Sequence, residues 1–281
     1  MNITKKPHFV PATYLQFWSV DNIPNGRKSK IYVTDINGSR ITSASKTGVA
    51  RHFYSKTDPN KAEEYFQKFE NAWTKLVKEL LENKGPKPEI LSCLFLLHSS
   101  QFLIRNRCFE NLSEKERIEI YHNCIETYWT KTIMNNKIGK THEESLKLIE
   151  KNWTCLLIRN KDERFITSDN PTLTLNAKGK NPAIIYIAIN PKISLLALSN
   201  QVIKLKSNNV TEQDIDYLNN YTIGNCNREV YSNKPLEKES LSKIIEYMKI
   251  RPERNSTYND KTLHLKSYDY PILGMEFSFI E

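Results

Sequence analysis

A chain of 281 residues, 39% hydrophobic and 26% charged with eight Gly and twelve Pro, carries enough apolar material for a substantial core, which excludes a disordered or fibrous protein. Its formal net charge of +9 favours anionic partners, and no run approaches the roughly 20 uninterrupted apolar residues of a membrane-spanning helix. The five cysteines (Cys93, Cys108, Cys124, Cys155, Cys226) are odd in number and form no Cys-x-x-Cys pair, and the six histidines show no ligand spacing, so reduced thiols and no metal site are expected. The opening segment carries charge without an apolar stretch behind it, which predicts no secretory leader and a cytoplasmic location.

The charge is concentrated early. Up to Thr57 the basic residues are Lys5, Lys6, Arg27, Lys28, Lys30, Arg40, Lys46, Arg51 and Lys56, against Asp21 and Asp35 alone. Lys5, Lys6, Arg27, Lys28 and Lys30 are therefore candidate nucleic-acid contacts. Tyr14, Phe17, Trp18, Tyr32, Phe53 and Tyr54 are candidate stacking platforms beside them. The competing reading is a lysine-rich surface that serves solubility. In this region residues 12–19 predict a short helix entered through Pro11. Residues 30–36 alternate as a strand, Asn37-Gly38 signals a tight turn, and residues 39–49 would pair back.

Apolar residues at helical spacing predict a helix over 60–83, closed by Gly85-Pro86. Residues 89–108 are apolar almost all round, as a helix in the middle of a fold would be. His98, Gln101 and Arg105 share one face of it, and a buried guanidinium requires a carboxylate, a phosphate or a wet cleft. Asp169 is one candidate partner. Further helices are expected over 115–134 and 141–151.

Strands follow at 153–159 and from Phe165, with 160–164 read as a polar hairpin connection. Phe165-Ile-Thr-Ser-Asp-Asn-Pro171 runs from an apolar strand into a polar turn, placing Asp169 and Asn170 where a sheet edge stops. Ordinary turn chemistry is the competing reading of the same residues. Strands are expected at 183–189, 193–198 and 202–206, a helix from Val210 through about Asn225, and a strand at 229–232. A last helix over 238–249 would stop before Arg251-Pro252, with edge strands near 263–265 and 276–280. No repeat, Gly-rich phosphate loop or Gly-x-Ser-x-Gly elbow is present. The layout predicts an α+β fold: a central cluster of about four helices packed with a mostly antiparallel sheet, plus a small N-terminal hairpin. The whole of 1–281 is read as one domain, with a basic N-terminal part (1–57), a helical part (58–151) and a sheet with two further helices (152–281).

His8-Phe-Val-Pro11 with Tyr14-Leu15 and Phe17, Gln101-x-x-x-Arg105, the Phe165–Pro171 stretch and Arg228-x-Val-Tyr-Ser232 occur in an order that resembles the bacterial domain-of-unknown-function family 4238. The resemblance spans nearly the whole chain and implies a fold unit without an assigned activity. It singles out His8, Gln101, Arg105, Asp169 and Asn170 as motif positions, with Glu70 and Asn219 less distinctive.

Three functional readings stay open. In the first, His8 is a general acid or base oriented by Asp169, while Arg105, helped by Gln101 and Asn170, stabilises charge developing on a phosphate. With the cationic N-terminal part, this describes a metal-independent nuclease or nucleotide-modifying effector of toxin or phage-defence type that needs no cofactor. A metal-dependent version would draw on Asp169 with Glu63, Glu64 or Glu70, which cluster too little to prefer it. The second reading is a non-catalytic module for nucleic acid or a nucleotide. In the third, the motif residues form a buried hydrogen-bond network that specifies the fold.

Overall fold

The computed structural model describes residues 8–21, 23–49, 59–82, 150–176, 182–201, 203–205, 210–255 and 277–279, together with Ser113, Lys115 and Lys147. Two four-stranded sheets organise them. The first is built from β1 (Lys30–Asp35), β2 (Gly38–Ser43), β4 (Thr167–Ser168) and β9 (Val230–Ser232) in the order β2-β1-β9-β4. The second contains β3 (Trp153–Arg159), β5 (Thr172–Asn176), β6 (Pro182–Asn190) and β7 (Ile193–Ser199) in the order β3-β7-β6-β5. A separate pair joins β8 (Ile203–Leu205) to β10 (Phe277–Phe279), and the strand pairs are antiparallel throughout. With helices α1 (Ala12–Leu15), α2 (Pro59–Glu82), α3 (Glu212–Asn225) and α4 (Lys238–Asn255), the class is α+β.

Burial explains the second sheet. All residues of β7 are buried between β3 and β6, and a continuous apolar run is what a strand covered on both faces requires. The β6–β7 turn closes at Asn190, whose Oδ1 accepts the Lys192 N–H at 2.9 Å. Tyr14 and Trp18 from the α1 region and Trp73, Val77 and Leu80 of α2 join Tyr186, Leu195 and Leu196 of the sheet in one core. Tyr14 also stitches the two sheets together. Its hydroxyl donates to the Ala188 carbonyl of β6 at 2.6 Å and lies 2.7 Å from the Thr167 hydroxyl of β4. On the other side of the first sheet, Val230 packs with Ile166, Ile223, Cys226 and Ile244 beneath α3 and α4.

Several expectations change. The β1–β2 unit is not an appendage, because β1 pairs with β2 on one side and β9 on the other. Its turn residues are Ile36 and Asn37, with Gly38 already paired to Asp35 and adopting φ +116°. The return strand ends at Ser43, where a 3-10 turn (Ala44–Lys46) takes over. Residues 160–164 are no hairpin: β3 pairs with β7 while β4 pairs with β9, so this connection carries the chain from the second sheet to the first. Asp169 to Pro171 then carry it back into β5, a strand the sequence reading did not separate from the turn. Helix α4 runs past Lys249 to Asn255 with Pro252 inside its last turn. The helices expected over 89–108, 115–134 and 141–151 fall, but for isolated positions, outside the described residues, as does the edge strand near 263–265. No helix among the described residues is long and apolar enough to cross a membrane.

Candidate functional site

The motif that ends β4 is a buried latch. Asp169 is 1% exposed and donates its own N–H to the Glu229 carbonyl at 2.9 Å. Its Oδ1 accepts the Asn227 N–H at 2.6 Å and its Oδ2 the Arg228 N–H at 2.8 Å. Helix α3 stops at Cys226, whose backbone is extended, so these N–H groups belong to a connection that has no helical or ladder partner for them. A carboxylate there satisfies both at once. Asn170 repeats the logic one residue on. Its Nδ2 donates to the carbonyl and side-chain oxygens of Asn225 at 3.2 and 3.1 Å, and Asn225 Nδ2 returns bonds to the Asn170 and Thr172 carbonyls at 3.0 Å each.

Glu229 links this latch to the start of the chain. Its Oε2 accepts from the Thr47 hydroxyl at 3.0 Å and the Tyr231 hydroxyl at 2.8 Å, and its Oε1 meets Arg40 at 3.2 Å. Two residues after Thr47, Val49 forms an isolated antiparallel bridge with His8. The Gly48 carbonyl accepts the Phe9 and Val10 N–H groups at 2.9 and 3.2 Å. Gly48 has φ +63°, and a Cβ there would sit 2.9 Å from both Val10 Cβ and Val10 O, so the approach of the His8 segment requires glycine. The His8 segment is thus linked to Asp169 indirectly, through Val49, Thr47 and Glu229.

Gln101 and Arg105, like Lys5 and Lys6, lie outside the described residues. Arg27 and Lys28, on a 3-10 turn (Gly26–Lys28), and Lys30, which opens β1, are all exposed. Of the candidate stacking residues, Tyr14 on α1 and Phe17 and Trp18 on the 3-10 turn that follows it (Gln16–Trp18) are core residues. Phe53 and Tyr54 lie outside the described residues, and Tyr32 is half-buried. Among the described residues no group of three or more His, Cys, Asp or Glu side chains is placed to hold a metal ion.

A separate polar cleft of about 590 Å³ opens between residues 162–166, α3 and the β9–α4 connection. Phe165, Ile166, Ile223 and Leu236 contribute its apolar surface, while Arg164 pairs with Asp216 and, at 3.3 Å, with Glu212. Asn219 fixes one wall: its Oδ1 accepts the Ile166 N–H at 3.2 Å and its Nδ2 donates to the Arg164 carbonyl at 2.7 Å. Glu163, at φ +57°, is held by Asn233 at 2.8 Å and Lys192 at 3.0 Å.

Sequence reasoning did not single out Glu229, Thr47 or Asn225. Glu229 sits inside the quoted Arg228–Ser232 stretch, and a charged residue leading into a buried strand is the signal that marks it. Asn225 closes an Asn-rich helix end, which signals side chains capping main chain.

These features define an α+β protein whose polar motif binds sheet edge to loop. The chain belongs to the family described as protein of unknown function (DUF4238), whose profile matches residues 6–92 and 99–235. No curated protein and no solved structure matches it.

Proposed function

We propose that this protein engages nucleic acid through the cationic end of its first sheet. The observation that carries the reading is the placement of Arg27, Lys28, Lys30 and Lys46. All four are exposed, on the turn entering β1, at the start of β1 and on the turn leaving β2. The two turns are fastened side by side, Ala44 N–H to Ser29 carbonyl at 2.8 Å and Lys30 opposite Ser43. Arg27, Lys28 and Lys46 form no ion pair among the described residues, so their charge is available to phosphates, whereas Arg40 at the other end of the hairpin is consumed by Asp35 and Glu229. Fluorescence polarisation with a labelled oligonucleotide tests this. Arg27→Glu with Lys28→Glu lowers affinity about tenfold or more and flattens the dependence on salt. Unchanged affinity in that variant removes the reading.

The catalytic reading draws support from the indirect link between the His8 segment and Asp169, in which His8 pairs with Val49 and Thr47 bonds the Glu229 that also receives the Asp169 N–H. In it, the protein is a metal-independent nuclease or nucleotide-modifying effector of toxin or phage-defence type. His8 exchanges the proton, and Arg105 with Gln101 and Asn170 stabilises phosphate charge. Asp169, whose oxygens accept from main-chain N–H groups, is then a positioning residue. The check is turnover of RNA and DNA by wild type and His8→Ala. Loss of turnover with retained binding supports this reading, and an inactive wild type ends it.

A further inference from the structure

We infer that β2 is a docking edge for a second copy of this chain, which lays its own β2 antiparallel alongside about a two-fold axis at Ile41. The inference does not depend on the nucleic-acid reading. Among the described residues β2 is the outer strand of the first sheet, and its pairing with β1 runs from Ser43 opposite Lys30 to Gly38 opposite Asp35 without a shift in register. Main-chain groups alternate in direction along an antiparallel strand. The Ala44 N–H donates toward the β1 side, to the Ser29 carbonyl at 2.8 Å, while the Lys30 carbonyl opposite Ser43 turns away from β2 and accepts the Val20 N–H at 2.8 Å. By that alternation Arg40 and Thr42 bond to β1, and Ser39, Ile41 and Ser43 aim their N–H and C=O groups outward from the edge. Ser39, Arg40 and Ile41 are exposed, Ile41 by 50%, and a Cβ added at Gly38 would meet nothing within 4 Å.

Native sheets guard such an edge with charge, proline or a bulge. β2 has no proline, and its one charged side chain, Arg40, reaches back to Asp35 and, at 3.2 Å, to Glu229. The strand is also complementary to itself. With Ile41 opposite Ile41 of the second copy, Ser39 and Ser43 face each other across the axis, so every outward residue pairs, the exposed isoleucines meet and Arg40 lies opposite Thr42. Moving the axis to Arg40 would set like charges directly opposite, and moving it to Thr42 would leave Ser39 facing no strand residue. The cationic turns of the two copies lie beyond Ser43 at opposite ends of the joined strands. The two Ser43 positions are about 14 Å apart along the strand, which exceeds the Debye length of about 8 Å at physiological salt. Salt therefore strengthens this pairing, whereas it weakens binding to phosphates. One pair of such short strands buries less than the roughly 1,000 Å² of a stable interface, so the dimer is weak and depends on concentration.

Sedimentation equilibrium of the full chain from about 1 to about 500 µM, at low and high salt, tests this. Wild type is expected to be monomeric at the low end and to dimerise with a Kd of about 10–100 µM that tightens as salt rises. Ile41→Lys sets like charges opposite each other at an exposed position and should weaken the dimer about tenfold or more. Ile36→Lys, equally exposed but on the turn outside the pairing, should leave it unchanged. Ile41→Cys adds a positional readout. Residues in a bonded antiparallel pair have Cα atoms about 5.5 Å apart, within disulfide reach, so mild oxidation should link this variant into dimers faster than wild type or Ile36→Cys. A wild type that stays monomeric at every concentration, a dimer that Ile41→Lys leaves intact, or an Ile41→Cys variant that cross-links no faster than Ile36→Cys overturns the inference.

Discussion

Asp169 commits a buried carboxylate to two main-chain N–H groups, and the magnitude of that commitment can be measured. A hydrogen bond to an ionised group contributes about 1.5–3 kcal/mol net, and a buried donor left without its acceptor costs a further desolvation term. Asp169→Ala would strand the Asn227 and Arg228 N–H groups, which now donate at 2.6 and 2.8 Å, so a loss of about 3 kcal/mol or more is expected. Asp169→Asn keeps one accepting oxygen and should fall between wild type and alanine. Urea midpoints near neutral pH rank the three proteins. A change under about 0.5 kcal/mol for the alanine variant would mean that water reaches the loop and the latch contributes nothing. The same geometry sets the residue's chemical limits: with both oxygens accepting from main-chain N–H groups, Asp169 is placed to hold a loop.

At the scale of elements, α3 depends on side chains at both ends and in its middle. Thr211 and Asp214 close a reciprocal capping box at its start, Asn225 and Asn170 lock its end, and Asn219 grips the strand-like segment at Arg164 and Ile166. Asn219 supplies one acceptor and one donor to a main chain that lacks a neighbouring strand there. Asn219→Ala should therefore cost about 2 kcal/mol, and chemical denaturation should show it exceeding Thr211→Ala at about 1 kcal/mol. The reverse order would mean that the helix is held by its cap and packing rather than by the strand. Periodicity and turn chemistry made most of these elements legible: β3, the start of β6, β7, α2 and the span of α3 follow from apolar spacing and punctuation. What was not legible was which strand pairs with which. β4 contributes only Thr167 and Ser168 to the first sheet, too short for any period, and its partner β9 lies far along the chain. The site divides the same way. Its residues were visible as unusual polar positions, but whether Asp169 faces a ligand or a main-chain N–H depends on a connection that local sequence does not describe.

Across the whole molecule, three groups in and around the core link stability to alkaline pH. Burial raises the hydroxyls of Tyr14 and Tyr186 well above the usual tyrosine range, and burial first, then the charge of Glu150, pushes the Cys155 thiol from 9.0 up to about 12. All three shifts have the same sign. Below about pH 8 these groups are neutral in the folded and unfolded chain alike, and they contribute no dependence on pH. Above it the unfolded chain releases protons that the folded chain retains, so each such group lowers stability by about 1.4 kcal/mol per pH unit until its folded form also ionises. Urea midpoints measured from about pH 7 to about pH 11 should therefore hold level and then fall, steepening once the tyrosines of the unfolded chain begin to ionise near pH 10. Tyr186→Phe removes one of the three groups and should make the alkaline limb shallower, even though the phenylalanine variant starts from a different stability at neutral pH. The thiol supplies a second readout on the same protein: a disulfide reagent should label Cys155 slowly near pH 8 in the folded state and rapidly once the chain is unfolded, because only the thiolate attacks. A level profile up to about pH 11, or fast labelling of the folded protein, would place water around these side chains and contradict a core that reaches from Tyr14 through Tyr186 to β3.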